Sequence, residues 1–229
     1  MDFEKLEKIL EFKFQNSDLL RQALTHRSYI NENKTFATSH NERLEFLGDA
    51  VLELVVTGFL YGKFPDVTEG DLTAYRAALV NTNTLSTAST RLGFNEHILL
   101  SKGESKDTGR ARQYILANVF EAMVGAIYLD SGFDAAKAFI SRTLFGLIDE
   151  IVEKKLWQDA KSYFQELAQE KVGITPMYET IREEGPDHSK TFTVGVYLAS
   201  ELVAQGIGAS KQEAEQEAAR EALNIKNWS

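Results

Sequence analysis

The sequence predicts a mainly α N-terminal domain followed by a small α+β domain in the order α-β-β-β-α. Three observations carry this reading. Apolar residues recur at helical spacing from Asp2 to about Lys155. The composition then shifts near residues 156–158 with no Gly/Ser/Pro linker. Beyond that point Phe192, Val194, Val196 and Leu198 alternate with Thr191, Thr193, Gly195 and Tyr197, the period of a half-buried strand. A chain of 229 residues suits one medium and one small domain, each with its own core. The expected boundaries are 1–156 for the all-helical domain and 159–227 for the α-β-β-β-α domain.

Taken in order, Asp2–Ala23 reads as two short amphipathic helices, the second started by Asn16–Ser17–Asp18. The polar stretch Asn31–His40 has no periodicity and reads as a loop. Asn41–Glu53 (NERLEFLGDAVLE) opens a long helix that Pro65 ends. Val67–Gly70 reads as a turn, and Asp71 starts a helix that continues to Leu92, closed by Gly93. Leu99–Arg112 is basic and Gly/Ser-containing, so a surface loop is expected there, either simply solvated or touching phosphates. Gln113–Leu129 forms a core helix, and after Ser131–Phe133 a last long helix runs from Asp134 to about Lys155. In the second domain, Asp159–Lys171 is a helix and Met177–Glu184, Thr191–Ala199 and Glu201–Ala209 are strands. The chain closes with a helix over Ser210–Leu223.

With no cysteine, disulfides, thiolate metal sites and cysteine nucleophiles are excluded. The N-terminal MDFEKLEKILEF mixes charges into its apolar residues, which fits neither a signal peptide nor a membrane span. A cytoplasmic location is the default. The net charge of −9 argues at first against a nucleic-acid partner, but carboxylates gathered around a cation would give the same balance.

The long helix carries the chemistry. On a helical wheel Glu42, Glu45, Asp49 and Glu53 share one face, and Leu44, Leu47, Val51 and Val55 the opposite one. Phe46 falls among the acids, where a large apolar side chain needs a partner. Asn118, Glu121 and Gly125 form a second polar notch on an otherwise apolar helix. There glycine lowers helix stability by roughly 1 kcal/mol relative to alanine, so a close approach of another backbone or of a bound group is expected. An acidic stripe at this spacing suits a solvated helix face as well as a cation site. As a donor set, these oxygens with no histidine or cysteine suit Mg²⁺ or Mn²⁺. In the second domain Ser162, Gln165, Glu166 and Gln169 share a stripe, Gly185–His188 is a projecting turn, and Ser210–Lys211 begins the last helix. Together they suit a surface for the phosphates and 2′-hydroxyls of A-form RNA.

The run His40–Leu52 (HNERLEFLGDAVL), with LTHRS at Leu24–Ser28, TEGDLT at Thr68–Thr73 and ILANVFEAMVGAIYLD at Ile115–Asp130, resembles bacterial ribonuclease III. Asp159–Leu223, with GPDH and GIGASKQEAEQEAA, is similar to its double-stranded-RNA-binding domain. The resemblance implies a homodimeric, Mg²⁺-dependent endonuclease that cuts duplex RNA to 5′-phosphate and 3′-hydroxyl ends with a short 3′ overhang. It places Glu45, Asp49, Asn118 and Glu121 in the metal set, with Asp49 and Glu121 catalytic and Glu42 and Glu69 as further acids of a valley where two subunits meet. Phe46 matches an aromatic knob that enters the partner subunit. Ser162, Gln165, Gln169, His188, Ser210 and Lys211 are the expected RNA contacts. The chain departs from the family pattern at two points. Asn118 stands where Asp is usual, which removes a charge but keeps a carbonyl donor. In the second domain acidic residues outnumber basic ones, and Gln212 stands where a basic residue is usual. The rival to an active nuclease is a duplex-RNA-binding protein that cleaves poorly because of Asn118.

Overall fold

The computed structural model describes residues 3–186 and 190–228. His188 lies outside the described residues. Two compact units divide the chain, one reaching to Trp157 and the other starting at Gln158.

The first unit is helical: α1 (Phe3–Leu10), α2 (Ser17–Ala23), α3 (Arg27–Glu32), α4 (Glu42–Lys63), α5 (Glu69–Val80), α6 (Thr82–Arg91), α7 (Phe94–His97), α8 (Arg110–Leu144) and α9 (Ile148–Glu153). Helices α4 and α8 pack along each other at its centre. Leu52, Val56 and Leu60 of α4 and Val119, Phe120, Met123 and Ile127 of α8 are fully buried in one cluster, the apolar stripes that the sequence pattern requires.

The structure departs from the expected elements in several places, the first being α3, which takes in Asn31 and Glu32 of the stretch expected as a loop. The helix expected over Asp71–Leu92 is two helices, because Asn81 turns extended (ψ 162°) and its side chain accepts from Thr84 N at 2.9 Å, a helix-start cap. The turn before it is shorter than expected, since Thr68 caps α5 and Glu69 already lies in its first turn. Helix α8 starts at Arg110 rather than Gln113, and it is kinked at Gly132, whose non-helical backbone (φ 83°, ψ −175°) favours glycine and interrupts the helix at Ser131–Phe133, where the sequence places a break. Its continuation breaks into a 3₁₀ turn at Phe145–Leu147 before α9. On α4, Leu47 is only half-buried, and Gly48 takes the buried position beside it. Residues 110–153 contain a stretch long and apolar enough to cross a membrane by length and composition, but most of that apolar window is buried inside the unit.

The second unit comprises α10 (Ala160–Val172), an antiparallel sheet of order β1-β2-β3 (Met177–Glu184, Thr191–Leu198, Glu201–Gly208) and α11 (Lys211–Lys226). Phe164 and Ala168 of α10, Val196 of β2 and Ala218, Ala219 and Ala222 of α11 form its core. Helix α11 lies against β3 with almost no side chain between them. A methyl group on Gly206 would stand 2.1 Å from Ala218 N, and one on Gly208 would stand 2.5 Å from Ala214 N.

Candidate active site

The start of α4 is tied down by Asn41. Its side chain is buried and donates to Ala23 O at 3.2 Å, while its backbone N–H donates to Thr25 O at 2.9 Å. Thr25 pairs with Leu99 in a short parallel bridge, so the end of α2, the start of α4 and the segment after α7 share one anchor.

From there two glycines bring α4 and α8 into main-chain contact. A Cβ on Gly48 would sit 1.8 Å from the carbonyl oxygen of Glu121, and one on Gly125 would sit 2.2 Å from that of Leu44. The polar notch at Gly125 is therefore a backbone approach. Its consequence is chemical: Glu121 is brought into the electrostatic reach of Glu45, Asp49 and Glu53.

Glu121 responds strongly. Burial, then the charges of Asp49, Glu45 and Glu53, push its carboxyl up to about 8. Glu45 is also raised, first by burial and then by Glu42 and Asp49, against a hydrogen bond from the Asn118 side chain that favours its charged form. Asn118 thus donates to a carboxylate, which an aspartate in its place could not do. Among the described residues no three His, Asp or Glu side chains close into a finished cage for an ion. What the crossing provides is an all-oxygen donor set from two helices, with Glu45 and Glu121 held above the ordinary carboxylate range by burial and by their neighbouring acids. Such a set fits a hard divalent ion, which would take the place of a proton.

The titration of Glu121 predicts how stability depends on pH. Below about pH 4.5 the group is protonated folded or unfolded, and its contribution to stability is fully present. Between that pH and about 8 only the unfolded chain gives up the proton, so metal-free protein loses stability as pH rises. The loss is on the order of 3 kcal/mol after allowance for solvent screening. Thermal unfolding in chelator at about pH 5 and about pH 8 should show the decline, and Glu121→Gln should flatten it. An equally steep decline in the variant would count against this assignment.

The other sequence-expected residues are placed as follows. Glu42 is exposed and pairs with Arg27 (Nη1–Oε1 3.3 Å) and His40 (Nδ1–Oε2 3.7 Å). Glu69 lines a cavity of about 420 Å³ with Tyr61, Leu72 and Arg76. Phe46 is 83 % exposed. In the second unit Ser162, Gln165, Glu166 and Gln169 lie exposed on α10, and Gln169 accepts from Thr175 Oγ1 at 3.2 Å. Ser210 caps α11. Lys211 meets Glu183 at 2.9 Å and lies over the Phe192 ring. The start of α10 sits beside α11, with Lys161 Nζ 2.6 Å from Glu215, so the stripe and Lys211 belong to neighbouring ends of two packed helices.

Sequence reasoning missed Gly48, Arg27 and Arg76. It also left His26 without a role. His26 caps α3, and its Nδ1 lies 2.8 Å from Ser28 Oγ, which in turn accepts from Ser101 N at 3.1 Å. Burial lowers the His26 pKa, against the raising effect of Glu104.

An acid-lined crossing of two core helices, followed by a separate α-β-β-β-α unit, defines the class: a two-domain endonuclease for double-stranded RNA. The Ribonuclease-III-like family model matches residues 16–148, and the double-stranded RNA binding motif matches residues 160–226. Ribonuclease 3 of Geobacillus thermodenitrificans is 47 % identical over 221 residues, covering 96 % of this chain and 89 % of that protein. Ribonuclease 3 of Bdellovibrio bacteriovorus is 45 % identical over 224 residues, covering 97 % and 95 %. The crystal structure of the nuclease domain of ribonuclease III from Campylobacter jejuni matches with a TM-score of 0.56 at 42 % identity, over 65 % of this chain and 95 % of that one. The chain belongs to the ribonuclease III family. It is an endoribonuclease acting on double-stranded RNA.

Proposed function

We propose that the chain works as a homodimer that uses Mg²⁺, with Mn²⁺ as a substitute, to hydrolyse duplex RNA to 5′-phosphate and 3′-hydroxyl ends with short 3′ overhangs. Ribosomal and other structured RNA precursors in the cytoplasm are its substrates, a location that suits a cysteine-free chain. The observation that carries the metal reading is the Glu121 carboxyl, pushed up to about 8 by burial and three neighbouring acids. Glu45, Asp49, Asn118 and Glu121 would hold the ion, with Asp49 and Glu121 as the catalytic pair. When bound, the ion activates water and neutralises charge on the departing 3′-oxygen. The residues themselves set the geometry: Asn118 orients Glu45 by a hydrogen bond, and the Gly48–Gly125 contact sets how near Glu121 stands to α4. Glu42 and Glu69 are the outer acids of a valley completed by the second subunit. Ser162, Gln165, Gln169, His188, Ser210 and Lys211 touch the duplex. Because Lys211 is paired with Glu183 and the domain is acidic, duplex binding is weaker than that of a basic domain of this class.

End-labelled duplex RNA with and without Mg²⁺ tests the reading. Cleavage that needs Mg²⁺ is expected from the native chain and from Asn118→Asp. Retarded but uncut RNA, converted to cutting only by Asn118→Asp, would support a binding protein instead.

The dimer reading rests on Phe46 and on a relative. One crystal structure of the Campylobacter jejuni ribonuclease III nuclease domain concerns a region of that protein involved in dimer formation. Phe46→Ala is expected to shift this protein toward monomer in sedimentation, since a lost buried Phe anchor is worth roughly 2 kcal/mol or more. An unchanged dimer would remove the knob assignment.

A further inference from the structure

The acidic face of α4 is a ladder. Glu42, Glu45, Asp49 and Glu53 follow one another at one-turn intervals, so each is a neighbour of the next. On such a ladder a cation has three adjacent carboxylate pairs to choose from, and the middle pair, Glu45 and Asp49, acts on Glu121 more strongly than Glu53 does. The two end acids are each met by an arginine from another helix. Arg27 of α3 lies 3.3 Å from Glu42, with His40 at 3.7 Å on the other oxygen. Arg76 of α5 puts Nε 2.8 Å from Glu53 and donates from Nη1 to Thr57 Oγ1 at 3.0 Å. The second bracket is the firmer one, since Arg76 and Glu53 are 34 % and 37 % exposed against 67 % and 46 % for Arg27 and Glu42. Among the described residues no such ion pair reaches Glu45, Asp49 or Glu121.

We propose that Arg27 and Arg76 are positioning residues that fix where on α4 the metal sits: by pairing Glu42 and Glu53 they take the outer acids out of the donor set and leave the inner pair to bind with Glu121. This rests on the metal site proposed above. Thr57 strengthens the arrangement, because its bond to Arg76 holds the guanidinium along α4 in a bidentate grip rather than leaving it free to swing. The arginines do not touch the reacting groups; they act through the carboxylates they occupy.

Equilibrium Mn²⁺ binding to the full chain, followed by the electron paramagnetic resonance of the free ion, tests this without reference to cleavage. The native chain is expected to bind Mn²⁺ at a site that Glu121→Ala removes. Arg76→Gln is expected to gain a further equivalent per chain, roughly tenfold weaker than the first, as the freed Glu53 carboxylate joins Asp49. Arg76→Lys keeps the charge and the native count. Arg76→Gln/Glu53→Gln removes both partners and returns to the native count, which a general loss of structure would not do. Arg27→Gln shows the same gain in weaker form. Native count and affinity in both glutamine variants, with helical circular dichroism unchanged, would overturn the proposal while leaving the metal site standing. A native chain with no Mn²⁺ that Glu121→Ala displaces would take down the metal site and this proposal together.

Discussion

Gly48→Ala is expected to destabilise the first domain by roughly 3 kcal/mol or more and to abolish RNA cleavage. The added methyl would stand 1.8 Å from the Glu121 carbonyl oxygen, 2.7 Å from its carbonyl carbon and 2.8 Å from Gly125 N. All three are main-chain atoms of a core helix, so no flexible side chain can turn aside, and α4 must move away from α8. That movement opens the most extensive helix–helix contact of the unit and carries Glu45 and Asp49 away from Glu121. Gly58→Ala is the matched control. It lies on the same helix with nothing within 4 Å, and there alanine should stabilise by up to about 1 kcal/mol through helix propensity. Denaturant unfolding of the pair measures the difference. A Gly48→Ala chain within about 0.5 kcal/mol of native stability would mean that the close crossing does not hold in solution.

Glu121→Ala is expected to lower the cleavage rate by at least roughly 10³-fold, equivalent to about 4 kcal/mol of transition-state stabilisation. Of the clustered acids this one is the most perturbed, and it draws on the charges of three others. Removing it leaves Glu45 and Asp49 on a single helix with no acid facing them from α8. Duplex binding should be nearly unchanged, because the RNA-binding motif lies wholly in the second unit. Single-turnover cleavage and a gel-shift assay without Mg²⁺ separate the two effects. Cleavage within about tenfold of native would show that the catalytic acid lies elsewhere. Asn118→Ala should be milder than Glu121→Ala, since it removes a hydrogen bond to Glu45 and no charge.

How much of this could be read in the sequence depended on the kind of interaction. Side-chain periodicity was sufficient for α4: the stripe of Leu44, Val51 and Val55 is buried as its spacing requires, and Phe46, misplaced on the wheel, is exposed. The domain with three strands followed from alternation in β2. The break at Asn81 was missed although its signal was present, because an Asn followed by Thr-Asn-Thr is a helix start that a continuing apolar rhythm conceals. The break at Ser131–Phe133 was legible, since Gly132 takes a non-helical backbone there (φ 83°, ψ −175°) and kinks α8. Gly48 escaped for a different reason. Its role depends on which helix crosses it, and no local pattern contains that. The same holds for Arg27 and Arg76, which lie far along the chain from one another and acquire meaning only when α3 and α5 fold against α4.

In the second domain Gly206 and Gly208 seat α11 on the sheet much as Gly48 and Gly125 seat α4 on α8. Interfaces made of side chains can slip by exchanging one set of rotamers for another, whereas two backbones in contact have no rotamers to exchange. Both helices are therefore indexed, like a gear tooth in its slot. Where the acids stand along α4, and where Ser210 and Lys211 stand at the head of α11, is decided by residues that carry no functional group at all.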